Sequence, residues 1–137
     1  MEKIKIKLYD TERQAEKDAV VFVVEDDMTD NIILKLISEN INESASAESC
    51  LAAYQKLRDK LLGKGLGIRC KGSLINADQS AMMSRTNNIY LAELGKQALK
   101  KDMVCIWDYC GITEFPDMEE QKCFIGKWRS SLSADKN

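Results

Sequence analysis

The sequence contains no histidine. That absence removes Ser-His-Asp and Cys-His catalysis, the two-histidine zinc helix and the ordinary zinc finger. Proline occurs once, aromatic residues make up only 7%, and no apolar run approaches the roughly 20 residues that span a bilayer. The cysteines, at positions 50, 70, 105, 110 and 123, are odd in number and include no Cys-x-x-Cys pair, which fits neither a disulfide framework nor a zinc ribbon. They are expected to be free thiols, at home in a reducing cytosol. Residues Met1 to Lys7 interleave charge with single apolar residues and lack a signal-peptide stretch, so a cytoplasmic, unprocessed protein is expected.

What is present suits one compact domain. The chain has 137 residues, of which 45% are hydrophobic and 31% charged, enough for an apolar core without disulfides or metal. Lys3 to Leu8 alternate lysine with Ile4, Ile6 and Leu8, the pattern of a half-buried strand. Ala19 to Val24 form a continuous β-branched and aromatic run, as in a strand covered on both faces. Beyond an acidic turn, Thr29 or Asp30 is placed to cap a helix carrying Ile33, Leu36, Ile37 and Ile41. A second helix carries Ala47, Cys50, Leu51, Tyr54, Leu57 and Leu61 on one stripe, turns Lys56, Arg58, Asp59 and Lys60 to water, and ends at Gly63.

Strands are expected at Leu66–Cys70, Ile89–Leu94 and Met103–Tyr109, and a last helix follows Pro116, with 133–137 frayed. Trp107 and Trp128 fall on apolar stripes as core anchors. The order predicts a single α+β domain over 1–137: a mixed or antiparallel sheet of about five strands with about three helices packed on it.

A net charge of −2 hides a partition. Residues 18–48 hold eight carboxylates against Lys35, a balance of −7; residues 49–101 hold ten basic groups against Asp59, Asp78 and Glu93, a balance of +7. Such blocks can steer a charged macromolecule to one face. Glu25, Asp26, Asp27 and Asp30 lack calcium-loop spacing and its glycine, so a contact turn is favoured over a metal site. Gly63-Lys64-Gly65-Leu66-Gly67 closes a helix and opens a strand, the reverse of a phosphate loop. The run Lys56, Arg58, Lys60, Lys64, Arg69 and Lys71 raises a nucleic-acid reading, weakened by the acidic pI and the lack of interleaved aromatics. No spacing assembles a catalytic set, and no cofactor is expected.

The second half carries Ile68-Arg69-Cys70-Lys71-Gly72-Ser73, Asn76-Ala77-Asp78-Gln79-Ser80-Ala81-Met82, Tyr90-Leu91-Ala92-Glu93-Leu94-Gly95-Lys96-Gln97-Ala98 and Asp102-Met103-Val104-Cys105-Ile106-Trp107-Asp108-Tyr109. With the tail from Glu119 through Phe124, Trp128, Ser131 and Leu132, this order resembles contact-dependent growth inhibition immunity proteins over about residues 66–132. Where that family reads Tyr-Pro-Ser-Gly-Met, this chain has Asp78-Gln79-Ser80-Ala81-Met82, without the proline and glycine. The resemblance implies a cytoplasmic inhibitor that binds a cognate toxin domain, often a nuclease, with no catalytic residues of its own. Charge and expected exposure then nominate Glu25, Asp26, Asp27 and Asp30 for contact, with Asp78 and Gln79 on the 73–88 loop beside them. A small nucleic-acid-binding or regulatory adaptor domain is the alternative.

Overall fold

In the computed structural model, which describes residues 1–134, β1 (Glu2–Asp10), β2 (Ala15–Glu25), β3 (Ile32–Ser38) and β4 (Ile41–Ala47) run as an antiparallel meander. β5 (Leu66–Ile68) joins outside β1, giving the order β4-β3-β2-β1-β5. Register follows the apolar pattern: Ile6 lies opposite Ala19, Val21 opposite Leu36, and Leu34 opposite Ala45, so one face is apolar at its centre, with Lys17, Ser38 and Glu43 toward its margins. α1 (Cys50–Leu62) packs on that face. Leu8, Val21, Leu36, Ala53, Tyr54, Leu57, Leu61 and Ile68 are fully buried, each leucine contributing about 2–3 kcal/mol of transfer free energy. A smaller sheet, β6 (Ala77–Asp78), β7 (Asn88–Leu91) and β8 (Met103–Cys105), and a final helix α2 (Met118–Ala134) complete the single α+β domain.

The helix expected after Thr29 is instead β3, a tight turn at Glu39 and Asn40, and β4. Ile32 to Ile37 is too short and too apolar for spacing to separate the two periods. β-branched content and pairing with β2 decide for strand, burying Ile32, Leu34, Leu36 and Ser38 on alternate positions. Glu39 adopts φ 36° in the hairpin turn, and Asp30, at φ 60°, closes the preceding turn rather than capping a helix. The expected fourth and fifth strands shorten to β7 and β8, because the chain turns at Ile106 to bring Trp107 against Tyr54, ring centroids 5.1 Å apart. α2 extends to Ala134, and 135–137 of the tail expected to fray lie outside the described residues.

α1 begins at Cys50, where the Ser49 hydroxyl accepts from the Ala52 N–H at 3.1 Å. Arg58 does not face water. It is fully buried between the helices, where Nη1 donates to Gln121 Oε1 at 2.7 Å and Nε and Nη2 donate to Asp59 Oδ1 at 3.1 and 3.0 Å. Gln121 in turn donates to the Gly72 and Leu74 carbonyls at 3.0 and 2.7 Å, and Asp59 accepts from the Met118 N–H. These bonds fix where α2 starts and how it lies on α1. Among the described residues no helix is long and apolar enough to cross a membrane.

Candidate partner-binding surface

The β2–β3 turn is built around Asp26. Its carboxylate accepts from the Met28 N–H at 3.0 Å and the Thr29 hydroxyl at 2.7 Å, while its backbone pairs with Asp30 and Asn31. The Thr29 hydroxyl and then the Met28 N–H hold the Asp26 carboxyl below the ordinary 3.8. Asp26 is therefore the scaffold of the turn. Asp27, Met28, Thr29 and Asp30 are what the turn presents, all exposed, with Met28 at 94% of its full area.

Arg85 ties this turn to the 78–88 loop. Its guanidinium donates to the Asp30 carbonyl and lies 3.8 Å from the Glu25 carboxylate. Asn87 donates to Glu2 at 3.0 Å, and a hollow of about 540 Å³ lined by Glu2, Glu25, Cys50, Arg85 and Asn87 opens between the two segments. Met82, on the same loop, is 96% exposed. This end of the molecule thus combines carboxylates, an arginine and the solvated Met28, with Met82 exposed on the loop that carries the arginine. Methionine adapts its shape to a partner surface, and exposed single side chains at loop tips suit contact.

The other two nominated residues, Asp78 at the end of β6 and Gln79 after it, make bonds within the chain. Gln79 accepts from the Leu51 N–H at 3.0 Å and donates to the carbonyls of Met83, Thr86 and Asn88, fastening the loop to the first turn of α1. Asp78 pairs with Arg129 of α2 at 3.5 Å, beside a groove of about 460 Å³ between the helices that Gln55, Gln121 and Lys122 also line. The structure brings Glu25, Asp26, Asp27 and Asp30 together and sets Asp78 and Gln79 on the side toward the helices. Sequence reading missed Arg85, counted only as one charge in the basic block, and the two methionines, whose exposure has no sequence signal.

The charge blocks interleave in space. Lys64 pairs with Glu43 at 2.7 Å, and Lys56 and Lys60 donate to the Ser46 and Ser44 carbonyls on the outer strand β4 at 3.1 and 2.5 Å. Arg69 pairs with Glu16 at 2.8 Å and stacks over Tyr9 at 4.0 Å. The basic run singled out in the sequence is thereby divided among separate tasks, and its Arg58 is in the interior.

All the cysteines are free thiols: Cys50 and Cys70 buried, Cys105 and Cys110 half-buried, Cys123 exposed. Burial pushes the Cys50 thiol up to about 11 and raises that of Cys70 further. Both are protonated at neutral pH. Among the described residues no group of three or more cysteines and carboxylates is placed to hold a metal ion. No protein-family model matches the chain, and no curated protein matches it in sequence.

Proposed function

We propose that this chain is a non-catalytic immunity protein that binds and neutralises a cognate toxin domain in the bacterial cytoplasm. The resemblance over 66–132 supports the class of partner, and one observation carries the choice of surface. Arg85 joins the acidic turn to the 78–88 loop, so that Asp27, Met28, Asp30 and Met82 present a preorganised end to a partner. Preorganisation limits the ordering entropy lost on binding, and carboxylates at the rim speed encounter with a basic surface such as the substrate face of a nuclease. The partner needs no cofactor from this chain and no membrane.

The test is co-expression with the C-terminal domain encoded immediately upstream. Co-purification together with loss of that domain's activity supports the reading. Asp27→Lys/Asp30→Lys should slow association and weaken inhibition at low salt, and Met28→Ser should speed dissociation. A folded protein that neither binds nor inhibits that domain would overturn it.

A further inference from the structure

β2 and β3 carry apolar residues on the sheet face that α1 leaves open. Val20, Phe22 and Val24 alternate away from the buried Ala19 and Val21, and Ile37 and Ile33 lie directly opposite Val20 and Val24. None of these residues joins either hydrophobic core. Ile37 is 48% exposed. At the far end of this face Phe115 lies over Gly67 and 6.1 Å from Tyr9, Arg69 stacks on Tyr9, and Tyr109 bonds Glu16, while Val20, Phe22, Val24 and Ile33 are half-buried.

The same sheet supplies the comparison that makes this patch unusual. An antiparallel sheet with one solvated face places polar residues outward. β1 does so with Lys3, Lys5 and Lys7, and β4 does so with Asn42, Ser44 and Ser46. β2 and the ends of β3 depart from it, in the run whose composition predicts cover on both faces. Among the described residues a helix covers one face only.

Lysines stand along β1 and in the middle of β3, while the acidic β2–β3 turn lies beyond the Val24 end. Lys3 and Lys35 flank Phe22 from the two neighbouring strands, and Lys5 stands opposite Val20. Among the described residues Lys7 pairs with Asp18, whereas Lys3, Lys5 and Lys35 have no carboxylate within ion-pair distance. The patch is two strands wide and runs from Val20 to Val24, about 13 Å, a footprint that fits one helix about 10 Å across.

We propose that this open face docks an acidic amphipathic helix of a partner protein, its apolar stripe on Val20, Phe22, Ile33 and Ile37 and its carboxylates beside Lys3, Lys5 and Lys35. The helix would form a third layer, opposite the one α1 forms. Charge selects this occupant over a second copy of the chain, since stacking two such faces sets lysines against lysines. Residue type selects it over single-stranded nucleic acid, which needs successive aromatic platforms where this patch has Phe22 alone. The surface borders the acidic turn at Val24 and Ile33 but lies on the sheet face itself, and its test requires no toxin.

The probe is a labelled synthetic peptide of about 18 residues, or five helical turns, with leucine on one face and glutamate on the other, compared with its lysine counterpart. Fluorescence anisotropy should show saturable binding of the glutamate peptide alone. Ile37→Lys and Lys3→Glu/Lys5→Glu, both at exposed positions and checked for fold by circular dichroism, should each weaken binding by about tenfold or more. The proposal is overturned if the glutamate peptide does not bind, if both peptides bind alike, or if binding survives both sheet variants. It is also overturned by a homodimer that Ile37→Lys dissociates, or by a single-stranded oligonucleotide held more tightly and lost in the same variants.

Discussion

The guanidinium of Arg58 donates to the side-chain oxygen of Gln121 at 2.7 Å across the contact between α1 and α2, and both residues are fully buried. A buried cation is tolerable only while its donors are occupied, and here Gln121 and Asp59 occupy them. Arg58→Ala should lower stability by about 3–5 kcal/mol, since it empties a fully buried site and leaves Gln121 Oε1 with Gln55 as its one donor, while the part-exposed Asp59 loses its ion pair. Gln121→Leu should be destabilising by a similar mechanism, and the double variant should fall well short of the sum because both changes break one network. Urea denaturation of the four proteins measures the coupling. Strict additivity would show that the network does not hold the helices together.

Gln79 makes one bond to the start of α1 and three to the loop it sits in. Gln79→Ala frees the Leu51 N–H and leaves three carbonyls to water, at a cost of about 1–3 kcal/mol. The change should be local: amide exchange should accelerate from Met83 to Asn88 while the β1–β2 ladder stays protected. Because Arg85 belongs to that loop, binding through the acidic turn should weaken as well. Unaltered exchange in the loop would contradict the role assigned to Gln79.

Much of the fold was legible because local pattern and tertiary role agree. Lys3 to Leu8 alternate in sequence and in space, and the expected second helix forms, though it starts at Cys50 behind the Ser49 cap and leaves Ala47 on β4. Ile32 to Ile37 was misread because its apolar residues satisfy both periods, and only pairing with β2 separates them. Arg58 was misread for another reason. On a helical wheel it lies about 160° from Lys56 and Lys60 and about 40° from Tyr54, on the buried stripe; its charge argues for water against that position, and the partner that makes burial tolerable, Gln121, lies 63 positions away. The candidate surface was half legible: composition marks the acidic turn, but nothing in the sequence says that Arg85 joins it to a second loop.

The Asp26 turn should be acid-labile in a defined sense. Its carboxyl titrates below the ordinary 3.8 in the folded protein because the Thr29 hydroxyl and the Met28 N–H bond the ionised form. A depressed folded value means that the unfolded chain takes up the proton first. The turn's contribution is therefore complete above the ordinary aspartate range and is lost as pH falls through the folded value. Amide shifts of Met28 and Thr29, followed from neutral pH downward, should show a midpoint below that of an unstructured aspartate. Asp26→Asn keeps an acceptor oxygen and should retain the turn while abolishing this titration. A midpoint at or above the ordinary value would contradict it.

Thiol reactivity should separate the cysteines by environment. Alkylation proceeds through the thiolate, so a buried thiol is disfavoured twice, by access and by its raised titration. Cys50, pushed up to about 11, and Cys70, raised further, should resist iodoacetamide in the native protein at neutral pH. Cys123, on the exposed side of α2, should be modified first, and the half-buried Cys105 and Cys110 more slowly. In denaturant all should react at comparable rates, because burial then no longer distinguishes them. Peptide mapping after timed quenching gives the order. Labelling of Cys70 as fast as Cys123 in the folded protein would mean that the contact between Cys70 and Tyr109, where the two segments meet in an antiparallel bridge, opens readily in solution.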